Sequence, residues 1–326
     1  MSADLAHRAV NLFIFLAEGA TSVEISFTGG EPLLRFSLLK TLSSHVERAA
    51  HAAKMDTRLV VKTNGTILNA EVIRFFRQFK MRVVVSIDGS PGVHDLYRRS
   101  CQGLGTYDVV SRNIQLMLEN EVDCTASLTV HPQWSDSVLS NVQHLHRLGL
   151  KRIDVGPAYG TVEWDEQRAE SLAQSLTAVA SYMHEVNRES NELEVGPLYR
   201  DTEHVDGQLG NCWGCRAASS NIAILPDGRI AGCSALAMLV PTFPELVIGS
   251  VSKGIDVGAV THLCELAQAG PDRRLVCRSC SAKTNCGGGC LAINYASTGA
   301  PLAPPSFYCR TIAAIPHAWH QAWGTF

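Results

Sequence analysis

The hydrophobic positions from the first residues through Glu189 alternate between helical spacing and the short runs typical of buried strands. Apolar runs predict five strands, over Val23–Phe27, Leu59–Lys62, Val83–Ile87, Cys124–Val130 and Arg152–Val155. Helical spacing surrounds them over Leu5–Leu16, Leu33–Ala53, Ala70–Phe79, Tyr107–Leu118, Ser137–Leu148 and Asp165–Glu189. Strands that alternate with helices of this length predict βαβ units and a parallel sheet, closed or partly closed as a barrel.

This alternation ends between Asn191 and Asn211, where glycines and a proline interrupt the periodicity. We therefore predict two domains, residues 1–198 and 199–326. Just beyond the boundary, Ile222–Leu225 and Arg229–Ala231 flank a Pro-Asp-Gly turn, which predicts a β-hairpin. The remaining sequence is rich in cysteine and glycine, and we expect it to fold around metal rather than around a large apolar core.

Composition narrows the classes of function. The 326 residues carry a net charge of −3, so no basic field favours nucleic acid or an anionic membrane as the main partner. The sequence has neither a transmembrane-length apolar run nor the pattern of a secretory signal. Of the 11 cysteines, only Cys101 and Cys124 precede position 212. This asymmetry excludes an evenly stapled secreted framework and predicts metal chemistry in the C-terminal third.

The spacing of the late cysteines is specific. Cys212 and Cys215 are separated by two residues, and Cys233 follows the hairpin turn. The second group reads Cys277-x2-Cys280-x5-Cys286-x3-Cys290, with Cys309 farther along the chain. Three interpretations compete: disulfides, zinc sites with four cysteine ligands each, and two iron–sulfur clusters that use eight thiolates. The spacing favours metal over disulfides, and the motifs of the predicted sheet favour iron over zinc.

Polar and glycine residues follow three successive predicted strands. These segments are Thr28-Gly-Gly-Glu-Pro32, Thr63-Asn-Gly65 and Ser86-Ile-Asp-Gly89. Because the carboxyl ends of parallel strands share one edge, the three segments are expected to meet there. Together they predict a small-molecule site at this rim.

With these segments, the sequence resembles the radical S-adenosylmethionine (SAM) enzymes that carry a SPASM domain. Ile25–Arg35 resembles the family's second-strand motif, and Ser86–Arg98 resembles its fourth-strand motif. The late cysteines match the SPASM pattern C-x(9–15)-G-x4-C, C-x2-C-x5-C-x3-C and a final cysteine. The resemblance implies an α/β fold: a partial (β/α)6 TIM-like barrel that lacks its first strand, followed by a small Cys-rich SPASM iron–sulfur domain with a β-hairpin.

The resemblance also implies roles for individual residues. Residues expected to bind SAM are Gly29, Gly30, Glu31, Pro32, Thr63, Asn64, Ser86, Asp88 and Arg98. One auxiliary [4Fe–4S] cluster would use Cys212, Cys215, Cys233 and Cys290. The other would use Cys277, Cys280, Cys286 and Cys309. His94 lies within the fourth-strand motif, and we expect it to make a structural hydrogen bond.

One family motif is missing. The cysteine triplet C-x3-C-x2-C, which holds the catalytic cluster in this family, does not occur in the sequence. The chain begins in what resembles the first helix, so we expect N-terminal truncation and a chain that is inactive alone. A third cluster is expected only in a full-length form. The alternative is a non-catalytic, peptide-binding accessory protein that retains the fold.

The resemblance implies a peptide or small protein as substrate, modified after hydrogen abstraction by a 5′-deoxyadenosyl radical. A maturase of ribosomal peptides is favoured over an anaerobic sulfatase-maturating enzyme. Sulfatase maturases usually have Asp directly after the cysteine that corresponds to Cys233, whereas Ser234 stands here. An electron donor such as flavodoxin or ferredoxin and a cytoplasmic location are also expected.

Overall fold

The computed structural model describes residues 1–189, 192–198, 215–280, 282–286 and 288–323, with side chains as far as 315 except at 284 and 285. Cys212, one of the predicted cluster ligands, lies outside these residues. In the described part of the chain, no helix is both long and apolar enough to cross a lipid bilayer.

A six-stranded parallel sheet forms the larger element of the fold. Its strands run in chain order: β1 (Ser22–Phe27), β2 (Asp56–Thr63), β3 (Arg82–Ser86), β4 (Cys124–Val130), β5 (Arg152–Pro157) and β6 (Glu194–Gly196). All five neighbouring pairs are parallel. The predicted parallel α/β sheet is thus confirmed. The partial barrel is an open sheet, since β1 and β6 lie at its two edges.

The sixth strand was not among the predicted elements. β6 has only three residues, of which Val195 is fully buried, and Gly196 and Pro197 break the apolar pattern on its C-terminal side. It pairs with β5 through Arg152 opposite Glu194 and Asp154 opposite Gly196. So short a strand has no alternation of its own, and its pairing with β5 defines it.

One helix precedes the parallel sheet and others connect its successive strands, as the periodicity predicted. They are α1 (Ala3–Leu16), α2 (Phe36–Ala52), α3 (Ala70–Gln78), α4 (Pro91–Tyr97), α5 (Tyr107–Glu119), α6 (Val138–Arg147) and α7 (Glu166–Glu189). The predicted helix from Leu33 begins instead with a 3-10 turn over Pro32–Arg35. The short helix α4 was not predicted, because Ser90-Pro-Gly at its start is typical of a turn.

A second, antiparallel sheet follows position 215. Its strands are β7 (Ala223–Ile224), β8 (Arg229–Ala231), β9 (Val247–Ser250) and β10 (Gly254–Ile255), in the order β10-β9-β8-β7. β7 and β8 form the predicted hairpin. Asp227 in its turn accepts a hydrogen bond from the Arg229 amide at 3.0 Å, and Gly228 has a positive φ of 89°. The remaining helices are α8 (Ser234–Leu239), α9 (Val257–Ala267), α10 (Lys283–Cys286), α11 (Leu291–Thr298) and α12 (Ser306–Trp323).

The chain divides into two compact units. One comprises Phe13–Pro157 and Ala178–Tyr199, and contains the parallel sheet. The other comprises Met1–Leu12, Ala158–Thr177 and Arg200–Phe326, and its apolar core includes Ile230, Leu236 and Leu291. The predicted boundary between 198 and 199 falls at the edge of the undescribed residues, and stays a prediction.

The cap of α3 yields a test of local stability. The Asn69 side chain accepts hydrogen bonds from the amides of Glu71 and Val72, each at 3.0 Å. Asn69→Ala should lower the free energy of unfolding by about 1 kcal/mol, because these helix-start amides lose their acceptor. Urea unfolding measures the change. Asn69→Asp keeps an acceptor oxygen, so its free energy of unfolding should be close to that of the parent. An equal loss of stability in both variants would contradict the capping role.

Candidate functional site

The carboxylate of Glu31 joins the loops that follow β1 and β2. The Thr63 hydroxyl lies 2.9 Å from both of its oxygens, and the Asn64 amide donates to Oε2 at 2.7 Å. The Leu33 amide donates to Oε1 at 3.0 Å. Two of the three predicted rim segments therefore meet at one side chain, and both carboxylate oxygens are engaged by the chain itself.

Beside Glu31, the two glycines of the first segment leave an open surface. A Cβ built on Gly29 or Gly30 would meet no atom within 4 Å. Gly29 nevertheless requires glycine, because its φ of 146° is rarely adopted by residues with a side chain. An exposed, glycine-lined backbone beside a carboxylate can bind an ammonium group, which fits the amino group of SAM. Contact of Gly29, Gly30 and Pro32 with SAM stays a prediction.

Asp88 and Arg98, both expected to bind SAM, pair with each other. Arg98 Nε donates to Asp88 Oδ2 at 2.5 Å, and Nη2 donates to Oδ1 at 2.9 Å. Asp88 is buried, and it also accepts a hydrogen bond from the Thr129 amide at 2.9 Å. This bidentate pair links the segment after β3 to the end of α4, and the hydrogen bond from Thr129 links Asp88 to β4. Ser86 is the last residue of β3 and lies opposite Ser127.

A chain of hydrogen bonds through His94 supports the same segment. The Thr106 hydroxyl donates to the Arg98 carbonyl at 2.9 Å, so it accepts from His94 Nε2 at 3.0 Å. His94 Nδ1 then accepts from the Asp88 amide at 3.4 Å. Burial lowers the pKa of His94, and Arg98 acts in the same direction, while Asp88 and Asp95 act against it. The structural hydrogen bond expected of His94 is confirmed.

One residue of this region was missed by the sequence reasoning. Asn141 of α6 accepts a hydrogen bond from the Ser90 amide at 3.0 Å. A Cβ on Gly89 would lie 2.3 Å from the Asn141 side chain, and Gly89 has a positive φ of 114°. Asn141 is buried beside the apolar positions Val138 and Val142. A polar residue on the apolar face of a predicted helix was the signal that could have revealed it.

The second predicted set of cysteines lines a single cavity. The cavity has a volume of about 440 Å³, and its wall includes Cys277, Cys280, Cys286 and Cys309. Burial, together with the neighbouring thiols of Cys286, Cys277 and Cys280, raises the pKa of Cys309 to about 11. The structure therefore brings together the four side chains that the family resemblance assigned to one site. Their role as cluster ligands stays a prediction.

The described members of the first set also lie close together. Burial raises the pKa of Cys233, and the thiols of Cys290 and Cys215 act in the same direction. Burial likewise raises the pKa of Cys290, with Cys215 again adding to the effect. Cys290 is thus near Cys215 and Cys233, although it follows Cys286 of the second set by four positions. The fourth predicted member, Cys212, is outside the described residues.

The donor chemistry of the two sets is compatible with iron–sulfur clusters. All ten cysteines in the described part of the chain are free of disulfides. Among the described residues, no three His, Cys, Asp or Glu side chains converge tightly enough to hold a single metal ion. In the second set, the thiols instead surround a cavity. Four soft thiol donors around one cavity fit a [4Fe–4S] cluster, which places several iron and sulfide ions between its ligands.

The three cysteines outside these sets occupy different surroundings, and Cys264 of α9 is half-buried. Cys101 is exposed. Cys124 lies at the start of β4, is buried, and has its pKa raised to about 12 by that burial. A buried neutral thiol is chemically inert, so Cys124 acts as a packing residue.

Comparison with protein families assigns the first part of the chain. Residues 6–146 match the sequence profile of the Radical SAM superfamily. These residues include β1 to β4 and all three rim segments. The chain contains a radical SAM domain. The cofactors of this enzyme superfamily are a [4Fe–4S] cluster and SAM.

Characterised relatives extend the similarity beyond the radical SAM domain. The serine-type anaerobic sulfatase-maturating enzyme of Klebsiella aerogenes is 22% identical over 280 residues, which cover 84% of this chain and 68% of that protein. The corresponding enzyme of Bacteroides thetaiotaomicron is 31% identical over 134 residues, which cover 40% of this chain and 31% of that protein.

Solved structures share the fold. Native anSMEcpe with bound AdoMet and Cp18Cys peptide has a TM-score of 0.79 at 17% identity, over 98% of this chain and 89% of that one. SuiB of Streptococcus suis bound to the precursor peptide SuiA has a TM-score of 0.65 at 16% identity, over 94% and 69% of the two chains. At these identities the comparisons establish the radical SAM fold alone.

The neutral state of His94 predicts a pH dependence of stability. Its pKa is lowered in the folded protein, so below about pH 6.5 the unfolded chain binds a proton that the folded chain resists. The free energy of unfolding should therefore fall as the pH drops below that value. Urea titrations at a series of pH values measure this slope.

The matched variants for that experiment are His94→Gln and His51→Gln. His94→Gln should flatten the slope between neutral and mildly acidic pH, because it removes the buried titrating group. His51 is exposed, so His51→Gln should leave the slope unchanged. A slope that persists unchanged in His94→Gln would contradict the proposed origin of the pH dependence.

Proposed function

We propose that this chain is the SAM-binding and substrate-facing body of a radical SAM enzyme that modifies a peptide or small protein, of the ribosomal-peptide maturase type. Two auxiliary [4Fe–4S] clusters are part of the proposal. The observation that carries it is the cavity lined by Cys277, Cys280, Cys286 and Cys309, in a chain with a radical SAM domain. A thiol-lined cavity is the site that an auxiliary cluster requires.

The residues at the rim have distinct tasks in this proposal. When bound, SAM and the family's catalytic cluster supply hydrogen abstraction by a 5′-deoxyadenosyl radical. The open backbone at Gly29 and Gly30 binds the amino group of SAM, next to the Glu31 carboxylate. Thr63 and the Asn64 amide hold that carboxylate in place. A carboxylate with both oxygens engaged keeps one orientation, so the SAM site is preorganised.

The Asp88–Arg98 pair holds the segment of the rim that follows β3. In the proposal, Ser86, Asp88 and Arg98 face the ribose or the carboxylate of SAM. Arg98 is only partly buried and keeps further N–H groups beyond the two that bind Asp88, so it can bind Asp88 and an anionic group together. Asn64 is exposed at the same edge.

The catalytic cysteines are not part of the sequence, in which only Cys101 and Cys124 precede Cys212. Radical chemistry therefore requires a catalytic cluster bound by a C-x3-C-x2-C motif, which this sequence does not contain. Electrons would come from a donor such as flavodoxin or ferredoxin, in the cytoplasm. The solved structures of anSMEcpe and SuiB with bound peptides support a peptide as the partner class. The net charge of −3 gives no support to a nucleic-acid or membrane partner.

Sulfatase maturation is the second candidate function, because relatives that cover most of the chain carry that activity. Ser234, which directly follows Cys233, weighs against it. A serine cannot act as the carboxylate base expected at this position, and Ser234 is exposed at the start of α8. A non-catalytic peptide-binding protein with the same fold is the alternative from another class.

Anaerobic reconstitution tests the two clusters. The parent protein should bind about eight irons and eight sulfides per chain, the content of two four-iron clusters. Cys309→Ser and Cys233→Ser should each lose about half of both, since each removes one ligand of one set. Colorimetric iron and labile-sulfide assays measure the content.

Cys101→Ser is the matched control for those variants, because Cys101 is an exposed thiol outside both sets. Its iron and sulfide content should equal that of the parent. Zinc without labile sulfide in the parent protein would reject the iron–sulfur assignment. Equal losses in Cys101→Ser and Cys309→Ser would reject the choice of ligands.

Binding of SAM tests the rim. Glu31→Ala and Arg98→Ala should each weaken binding about tenfold or more, the effect of losing roughly one charged hydrogen bond. Iron content should not change, because neither residue lies among the cysteines. Isothermal titration with SAM on reconstituted protein measures affinity, and Glu18→Ala, an exposed carboxylate at the end of the first helix, is the control. Loss of iron in Glu31→Ala or Arg98→Ala would show that these roles are wrongly assigned.

A further inference from the structure

Arg274 is a buried cation that belongs neither to the proposed SAM site nor to the cysteine motifs. Its side chain is only 2% exposed, in a short stretch between the 3-10 turns Pro271–Arg273 and Leu275–Cys277. Its neighbour Arg273 is exposed, as a charged residue ordinarily is. Burial of a charge is costly unless the surroundings compensate it, so the partners of this guanidinium are informative.

Those partners are main-chain carbonyls. Arg274 Nε donates to Ala269 at 3.0 Å, Nη1 donates to Gly288 at 3.1 Å, and Nη2 donates to Leu266 at 3.3 Å. A longer contact of 3.5 Å joins Nη1 to the carbonyl of Pro301. Carbonyl dipoles satisfy the N–H groups but leave the positive charge without a counter-ion. Among the described residues, Arg274 forms no ion pair with a carboxylate.

Cysteine thiols from both predicted sets are among the groups whose charge affects the pKa of Arg274. Burial lowers the pKa of Arg274, while Cys277, Cys215 and Cys286 act in the opposite direction. An arginine stays protonated in a protein, so its positive charge is available to an anionic cluster bound by these cysteines. Cys215 belongs to the first set, whereas Cys277 and Cys286 belong to the second.

The guanidinium also packs tightly on the glycine turn between Cys286 and Cys290. A Cβ on Gly288 would lie 2.7 Å from Arg274 Nε, and Gly288 has a positive φ of 84°. Gly288 is itself part of the wall of the second-set cavity. This turn connects a ligand proposed for one cluster with a ligand proposed for the other. Arg274 therefore contacts the segment that both sites share.

We infer that Arg274 is the shared counter-charge of the two thiolate sites and the residue that positions the turn between Cys286 and Cys290. The inference rests on the proposed function, since it requires clusters at those sites. A cluster held by four thiolates is anionic, and each added electron makes it more negative. A fixed positive charge in a dry surrounding favours the reduced state and so raises the reduction potential.

The experiment measures reduction potentials in the reconstituted chain by electron paramagnetic resonance during redox titration. Arg274→Met removes the charge and should shift the potential of at least one cluster to more negative values. Arg274→Lys keeps the positive charge but lacks the planar guanidinium group. Its reduction potentials should be closer to those of the parent than the potentials of Arg274→Met are. Arg273→Met, on the exposed neighbour, should leave the potentials unchanged.

A pair of glycine variants tests the positioning role. Gly288→Ala and Gly254→Ala impose the same backbone strain, because their φ values are 84° and 83°. Only at Gly288 would the new methyl group displace Arg274, since a Cβ on Gly254 meets nothing within 4 Å. Gly288→Ala should therefore lower the iron content or shift the potentials, and Gly254→Ala should do neither.

Each outcome has a defined meaning. A parent protein without iron and sulfide rejects the proposed function itself. A parent with clusters whose potentials are unchanged in Arg274→Met rejects the counter-charge and leaves the proposed function standing. If Arg274→Met binds no iron, retention of iron in Arg274→Lys supports the role of the charge, whereas loss in both rejects it. Equal effects of the two glycine variants reject the positioning role.

Discussion

The carboxyl ends of parallel strands leave backbone N–H groups that need acceptors, and two buried or half-buried carboxylates meet this need in the radical SAM domain. Glu31 accepts from the amides of Leu33 and Asn64, so it binds the loops after β1 and β2 together. Asp88 accepts from the Thr129 amide and from Arg98, so it binds the segment after β3 to the end of β4. The rim keeps its shape because these acceptors connect successive loops, and every proposed SAM contact depends on that shape.

The sequence could predict the elements whose apolar pattern is continuous. The strand over Val83–Ile87 was recognisable because four of its five residues are apolar, and Cys124–Val130 was recognisable because every second residue is apolar. β6 was missed, since only Val195 of its three residues is fully buried and Gly196 and Pro197 follow. α4 was missed because Ser90-Pro-Gly is typical of a turn, whereas here Pro91 begins a helix. Pairing with β5 therefore defines β6, whereas the start of α4 has a proline that is compatible with a helix as well as with a turn.

Within the site, the sequence motifs identified which residues belong to it, but not which of these residues bind each other. The family resemblance placed Cys277, Cys280, Cys286 and Cys309 in one set, and the structure arranges them around one cavity. The same reasoning assigned Asp88 and Arg98 to a ligand without indicating that they pair with each other. Arg274 could not be singled out, because one arginine in the run Asp272-Arg-Arg274 has the pattern of a solvated surface. Only its burial and its carbonyl partners distinguish it from Arg273.

The glycine turn after Cys286 has a consequence for the length of the chain between the two sets of thiols. Cys286 and Cys290 flank this turn, yet Cys286 lies with the second thiol set and Cys290 with the first. The two cysteines are only four positions apart, so an insertion or deletion between them would displace one thiol relative to the other. A change in the length of this segment would therefore alter the distance between a proposed ligand of one cluster and a proposed ligand of the other.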